Sequence, residues 1–427
     1  MQNRVQKKKK ISLTTMIFIA LLAGALAGVI INYLIPSNYV VDDIIVQGVF
    51  YIVGQGFIRL MRMLVVPLVF CSIVCGSMAV GDTKKLGSVG VKTLIFYLCT
   101  TALAITVALS IANIFNPGKG LDMSQIQVTS TVSETTQSMS MTETLLDIIP
   151  VNIFNSLSEG NMLQIIVFAL ILGVILANMG DRVDIVKNFF GQFNDIMMEM
   201  TMAVMKLAPI GVFCLIAKTF AEIGFEVFIP LLKYMFCVLL ALAVQCFVVY
   251  LGLLKTFSGL NPFIFIKNFF PVMAFAFSTS TSNATIPMNI DTLAEKMGVS
   301  KKISSFTIPL GATINMDGTS IMQGVAVVFT AQAFGIPLDM MDYLTVIGTA
   351  TLASIGTAGV PSVGLITLTM VFNSVGLPIE GIALIMGIDR ILDMTRTAVN
   401  ITGDAVCTTI VASWNKAVDR DVYYKRK

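Results

Sequence analysis

The sequence predicts an all-α polytopic membrane protein, and three observations lead there. Of its 427 residues, 56% are hydrophobic and 12% charged, with a mean hydropathy of +0.85. Soluble domains carry about 25% charged residues. Apolar stretches recur at about 11–35, 45–80, 88–115, 150–178, 187–222 and 227–254, where ~20 residues are enough for a helix to cross a bilayer. Basic residues cluster at the flanks: Lys7 to Lys10 before the first stretch, Lys84 and Lys85 after the second, and Lys416, Arg420, Lys425, Arg426 and Lys427 at the end. Such clusters mark cytoplasmic flanks, so both termini are expected in the cytoplasm.

In chain order, residues 1–10 form a basic cytoplasmic tail. A lysine run can also bind nucleic acid or anionic lipid. Beside a membrane span it reads as a flank against membrane lipid, and no nucleic-acid partner is expected. The first apolar run is too long for a signal h-region and has no convincing small-residue cleavage site, so it stays as a span. Several later stretches exceed a crossing, which predicts tilted or broken helices. Arg59, Arg62 and Arg390 read as helix-edge residues that reach toward the interface. Between the third and fourth stretches lies "MSQIQVTSTVSETTQSMSMTET" (123–144). Counting crossings from a cytoplasmic N-terminus makes this loop external, solvated and mobile. The Asn-x-Ser/Thr triplets at Asn283 and Asn400 lie at membrane depth, which argues against glycosylation. The seven cysteines have no CxxC pair and read as small buried hydrophobes. There is no histidine, which removes the usual zinc sites, His-based catalysis and a His proton relay.

From residue 256 the pattern changes. Residues 262–294 are apolar but broken by "STSTSNATIP", with Lys255 and Lys267 on one side and Lys296, Lys301 and Lys302 on the other. Two cytoplasmic ends around an irregular polar middle describe a re-entrant hairpin. A helix at about 303–333 follows, interrupted by "NMDGTS", and then a second broken segment, about 342–376, carrying "ASIGTAGVPSVG". A polar helix closes the region. Hairpin then polar helix thus occurs twice, and the tips "NATIP" and "TAGVP" are faintly alike. Paired broken segments point to a transport site near the midplane.

The closing helix holds "DRILDMTRTAVNITGD" (389–404). On the helical wheel Asp389, Asp393, Arg396, Thr397, Asn400 and Asp404 fall within an arc of roughly 100°. A charge at the centre of a membrane helix costs roughly 2.5–3.5 kcal/mol and usually faces a cavity and a partner. An Asp393–Arg396 pair at i,i+3 would satisfy those two. It would leave Asp389, Asn400, Asp404 and, on the earlier helix, Asn315 and Asp317 needing partners. Unpaired carboxylates at that depth must be neutralised or bind cations. Surroundings of oxygen alone suit a hard cation such as Na⁺, so an ion or solute site is the stronger reading and structural pairing the weaker. Asn315 and Gly318 suggest an unwound turn with free carbonyls. The serines of "STSTS" lack a nearby base to activate them; their use is as donors at half-helix ends, which attract anionic groups. Gly356, Gly359 and Gly364, spaced three and five apart around Pro361, are not a GxxxG packing motif and read as a tight, movable tip.

"GATINMDGTS", "ASIGTAGVP" and "LDMTRTAVNITGD", with "RLMRMLVVPLVF" and "VGVKTLIFYLCTTA", together resemble the glutamate transporter family, the dicarboxylate/amino acid:cation symporters. The likeness extends over nearly the whole chain and points to the bacterial type of sodium/acidic amino acid symporter. It implies eight transmembrane helices plus two re-entrant hairpins, built as inverted repeats and assembled as a homotrimer in the cell membrane. Residues 11–255 would supply helices 1–6. Of these, helices 1, 2, 4 and 5 would form the trimer scaffold, and 3 and 6 would join the transport core of residues 256–415. Residues 416–427 would be a cytoplasmic tail. The core would carry substrate past the scaffold in an elevator motion.

The resemblance also implies roles. Asp393 would bind a substrate amino group and Arg396 a side-chain carboxylate. Thr319, Thr397 and Asn400 would add contacts, with Ser280 and Ser282 from the first tip and Val360 and Gly364 from the second. One Na⁺ site would use Asp404 with the backbones of Gly311, Asn315 and Asn400. A second would use Asp317 and Asn315 with Tyr97, Thr100 and Thr101. A third would lie under the second hairpin, on the backbones of Thr313, Met316, Ser354, Ile355 and Thr357. Two positions depart from the family pattern. The first tip reads "STSTSNAT" where relatives carry an arginine and three serines, or three serines alone, and Met394 stands where some relatives have an arginine.

Dicarboxylate members lack an aspartate at the Asp393 position, and neutral amino acid members lack an arginine at the Arg396 position. Both are present here, so the expected function is import of aspartate or glutamate with Na⁺, with no enzymatic activity and no organic cofactor. Proton-coupled glutamate or C4-dicarboxylate symport is the near alternative. An anion channel, from another class, would not explain the paired Asp/Asn clusters, and a membrane hydrolase would need a base for Ser280 or Ser282.

Overall fold

In a computed structural model the structure describes residues 13–81, 88–121, 149–224, 228–355, 363–386 and 388–424. The basic N-terminal tail, the Ser/Thr-rich loop and the second hairpin tip with Gly356, Thr357, Gly359 and Val360 lie outside the described residues. Among those described the secondary structure is helical, apart from one isolated antiparallel bridge between Val299 and Val418.

The first half is built of α1 (Leu13–Leu34), a π-helical stretch (Val40–Phe50) running into α2 (Tyr51–Gly81), and α3 (Ser88–Phe115). The short α4 (Ile153–Glu159) follows, then α5 (Met162–Met179), α6 (Asp184–Met205) and α7 (Ala208–Ile223). Next, α8 (Phe228–Ala243) continues through a π-helical stretch, Val244–Tyr250, into α9 (Leu251–Ser258). Among the described residues, five helical stretches are long and apolar enough to cross a membrane: Val40–Leu60, Val89–Phe115, Gln164–Val204, Phe228–Ser258 and Pro262–Thr279. The apolar run of α1 is shorter, Ile19–Leu34. Helices α1 and α7 pack together, as do α2 and α5. Gly28 makes the first contact possible, because a Cβ there would lie 2.6 Å from that of Phe220.

The second half alternates paired helices with broken ones. α10 (Pro262–Thr279) and α11 (Ser282–Met297) form the first hairpin. Asn261 caps α10 by accepting from Phe263 N, with Pro262 at the first position, where its missing N–H costs nothing. The turn is Ser280, in the left-handed region at φ 52°, followed by extended Thr281. α12 (Lys301–Ile314) and α13 (Asp317–Ala333) are one helix broken at Asn315 and Met316. The interruption is therefore shorter than "NMDGTS". Gly318 is helical, contrary to the unwound turn expected around it. Its small size serves packing, since a Cβ would sit 2.8 Å from the Arg396 carbonyl.

α14 (Met340–Ser354) starts with a capping box between Asp339 and Asp342, the reciprocal bonding that satisfies a helix's first donors. With α15 (Val363–Ser374) it flanks the second tip, and α16 (Gly381–Met386) leads into α17 (Asp389–Trp414). α17 is the hub: both arms of the first hairpin, α12, α13 and α9 pack on it. The C-terminal segment folds back on the core. Asp419 N donates to Gly298 O at 2.8 Å and Ser300 N to Ala417 O at 3.0 Å. α18 (Arg420–Tyr423) buries Tyr423, whose hydroxyl donates to Asn261 O at 2.8 Å.

Candidate functional site

The polar stripe of α17 is buried along its whole length: Asp389, Asp393, Arg396, Thr397, Asn400 and Asp404 are each no more than 6% exposed. It divides into two clusters, because helix geometry puts Asp389 and Asp404 about 22 Å apart along the axis.

The first cluster centres on Arg396. Its Nη1 lies 2.9 Å from Asp389 Oδ1 and its Nη2 2.7 Å from Asp393 Oδ1. Side chains of a helix lean toward its N-terminus, so an arginine here reaches back to carboxylates one and two turns before it. The pairing differs from the expectation in one respect: Asp389, thought to need a partner elsewhere, shares Arg396 with Asp393. Two carboxylates face this guanidinium in a desolvated place, where each charge needs a partner. Among the described residues the guanidinium Nε has no hydrogen-bond partner. Gly364, at the start of α15, lies against this cluster; a Cβ there would lie 3.0 Å from Thr319 and 3.3 Å from Arg396 Nη1. The Thr397 hydroxyl donates to Asp393 O at 2.8 Å. Ser280 and Ser282 are buried at the first tip, and Ser280 Oγ is without a partner.

The second cluster joins the break at Asn315 and Met316 to α17. Asn315 Nδ2 donates to Asn400 O and to Asp404 Oδ1, both at 2.9 Å, while its Oδ1 is buried and unpartnered. Asn400 Oδ1 accepts from Gly318 N at 2.7 Å, and its amide nitrogen lies 3.5 Å from Met316 Sδ. Gly311 brings bare backbone against Asp404: a Cβ there would collide with the Asp404 carboxylate and the Tyr97 hydroxyl. Tyr97 thus stands beside Asp404 and donates to Thr307 O at 3.3 Å.

Asp317, which the helical pattern alone left needing a partner, accepts three hydrogen bonds. They come from Thr101 Oγ1 at 2.6 Å, Tyr250 OH at 2.7 Å and Gln245 Nε2 at 3.0 Å. All three donors are neutral. Among the described residues neither Asp317 nor Asp404 has an ion pair, and both carboxylates are fully buried. The Thr100 hydroxyl donates to Tyr97 O at 3.1 Å. For the third expected ion site, Thr313, Met316, Ser354 and Ile355 lie at helix ends next to breaks, with the Thr313 and Ser354 hydroxyls turned back on Leu310 O and Thr351 O.

Gln245 and Tyr250 escaped the sequence reading. Their signal was a pair of polar groups inside the strongly apolar span Phe228–Ser258. They stand on the π-helical stretch, a distortion common at functional sites. Five cysteines are buried as expected, but Cys99 is exposed and Cys75 partly so.

Residues 13–414 match the model of the sodium:dicarboxylate symporter family. The chain is 40% identical over 411 residues to a proton/sodium-glutamate symport protein of Bacillus caldotenax, covering 95% of each. It is 36% identical over 422 residues to a proton/glutamate-aspartate symporter of Escherichia coli, covering 97% of this chain and 95% of the other. It is 33% identical over 372 residues to a C4-dicarboxylate transport protein of Ralstonia nicotianae, covering 86% of each.

Proposed function

The chain belongs to the sodium:dicarboxylate symporter family, and from that premise we propose that it takes up an acidic amino acid, aspartate or glutamate, together with Na⁺. A member of this transporter family is not an enzyme. The observation that carries the substrate is the Asp389–Arg396–Asp393 group. A dicarboxylate needs a cation at each end. An acidic amino acid carries an ammonium besides its two carboxylates, so it needs an anionic partner as well. Asp393 would take the ammonium and Arg396 the side-chain carboxylate, one turn apart, leaving the α-carboxylate to donors such as those of the first tip. Relatives named for glutamate are consistent with this choice.

Na⁺ is favoured by the two buried carboxylates with neutral neighbours. Asp404, the unpartnered Asn315 Oδ1 and the carbonyls at the break form an oxygen environment of the kind hard cations take. Asp317 with Thr101 would hold a second ion, and the backbones around Thr313, Met316 and Ile355 a third. Proton coupling is the second reading, favoured by relatives whose names give a proton alone or with sodium.

The same proposal includes eight membrane helices and two re-entrant hairpins in inverted repeats. A homotrimeric scaffold holds moving cores in a bacterial plasma membrane, with both termini in the cytoplasm. The test is uptake of labelled aspartate into proteoliposomes under an imposed Na⁺ gradient or an imposed proton gradient. Saturable uptake driven by Na⁺, competed by glutamate and not by succinate, is expected. Uptake driven by the proton gradient alone selects the second reading, and succinate transport overturns the substrate. Mass measurement in mild detergent should give three copies.

A further inference from the structure

A groove of about 370 Å³ opens between α3, α9 and the end of α17, and among its described lining residues Thr100 alone belongs to the ion sites expected above. Ile95, Cys99 and Leu103 of α3 line it, facing Phe257 of α9 and Trp414, the last residue of α17. All five side chains are exposed, although α3 and the α8–α9 rod are among the stretches able to cross a membrane. The medium at this face is therefore lipid. The groove is long: Lys92 and Leu103, both on its wall, are about 16 Å apart along α3. Its volume is within the ~300–1,000 Å³ range of small-molecule sites.

The two ends differ chemically. Toward Leu103 the wall is hydrocarbon. At the other end stands Lys92, the one charged side chain among the described residues lining the groove. Trp414 meets Phe257 edge-on, with ring centroids 5.7 Å apart. A tryptophan beside a lysine is the pattern of a membrane–water boundary. Lys92 follows Lys84 and Lys85 in sequence and Trp414 precedes Lys416, so this boundary is the basic side of the protein. An apolar slot with a cation at its wet end is complementary to an acyl chain carrying an anionic head. The membrane leaflet facing basic residues is the one rich in such heads.

We propose that this groove holds one acyl chain of an anionic glycerophospholipid, with the lipid phosphate on Lys92. Cys99 lines the groove and is exposed, whereas the other cysteines are buried or half-buried. It therefore reports occupancy directly. The protein is placed in phosphatidylcholine nanodiscs with or without phosphatidylglycerol, and alkylation of Cys99 by an apolar maleimide is followed by peptide mass. Phosphatidylglycerol is expected to slow alkylation severalfold in the parent and to have no effect in Lys92→Gln. Native mass measurement of the parent should show one bound phospholipid per protomer, lost in Leu103→Trp, which fills the groove from an exposed position. Equal protection by phosphatidylcholine, a bound mass matching a free fatty acid, or no protection would each overturn the proposal. Uptake by both variants at the parental rate shows that they fold, so a lost lipid is not a lost structure.

Discussion

Arg396 donates to the carboxylate of Asp393 at 2.7 Å, one turn back on the same helix, so the two groups proposed to grip opposite ends of a substrate hold each other in this structure. On the proposed reading, an acidic amino acid would enter between them by exchange: its ammonium would replace the guanidinium at Asp393, and its side-chain carboxylate would replace Asp393 at Arg396. Such an exchange of partners would let a desolvated site bind the ammonium and side-chain carboxylate reversibly.

Replacing the arginine breaks that exchange for one class of substrate. Arg396→Thr or Arg396→Cys leaves a bound aspartate with an uncompensated carboxylate, a loss of several kcal/mol in a desolvated site. Aspartate uptake should vanish while Na⁺-driven uptake of serine, alanine or cysteine persists or emerges. Asp393→Ala should impair all amino acids. Labelled aspartate and serine are compared in the same vesicles. Parental aspartate affinity in Arg396→Thr would remove Arg396 from the site.

The Asp404 cluster gives a second test. Asp404→Asn turns a carboxylate ligand into a neutral amide, and half-saturating Na⁺ should rise at least about tenfold, equivalent to 1.4 kcal/mol. Gly311→Ala changes no ligand but drives a Cβ onto the Asp404 carboxylate and the Tyr97 hydroxyl. It should raise half-saturating Na⁺ as well. Unchanged Na⁺ dependence in both variants means that no ion sits at Asp404.

The stripe was legible because helical periodicity needs nothing but spacing, and all six of its polar residues are buried together. The break at Asn315 was legible from its composition, though its length was not, because Gly318 can serve either an unwound turn or a tight helix contact. Partnerships across distant segments were not legible from local pattern. The resemblance alone put Thr101 with Asp317, and Gln245 and Tyr250, which three-dimensional packing brings to the same carboxylate, were missed. The folding of residues 417–424 onto the core escaped for the same reason: a basic, polar tail looks solvated until Tyr423 finds Asn261.

That C-terminal clasp predicts a stability effect. Gly298 adopts φ 65°, and a Cβ there would run into the Asp419 carbonyl. Gly298→Ala combines left-handed strain, about 1 kcal/mol or more, with a clash that pushes the clasp off. The melting temperature should fall by several degrees. Tyr423→Phe, which loses one hydrogen bond and keeps the ring buried, should cost less. Equal melting of parent and Gly298→Ala would show that the clasp adds no stability.

The last prediction separates a structural role for Asp317 from an ionic one. Tyr250→Phe removes one of the three neutral donors that reach this carboxylate, and an under-satisfied buried acceptor costs about 1–3 kcal/mol. Were the aspartate purely structural, that loss would be the same in any salt. If Na⁺ coordinates Asp317, the ion takes over part of what the hydroxyl supplied, and its binding adds stability by mass action. The difference in melting temperature between parent and Tyr250→Phe should therefore be largest with choline as the cation and shrink as Na⁺ is raised. Gln245→Ala, which removes the donor on the other side of the same oxygen, should behave alike. Melting curves of all three proteins across a Na⁺ series decide it: gaps that stay constant from choline to saturating Na⁺ would exclude Asp317 as an ion ligand while leaving Asp404 untouched.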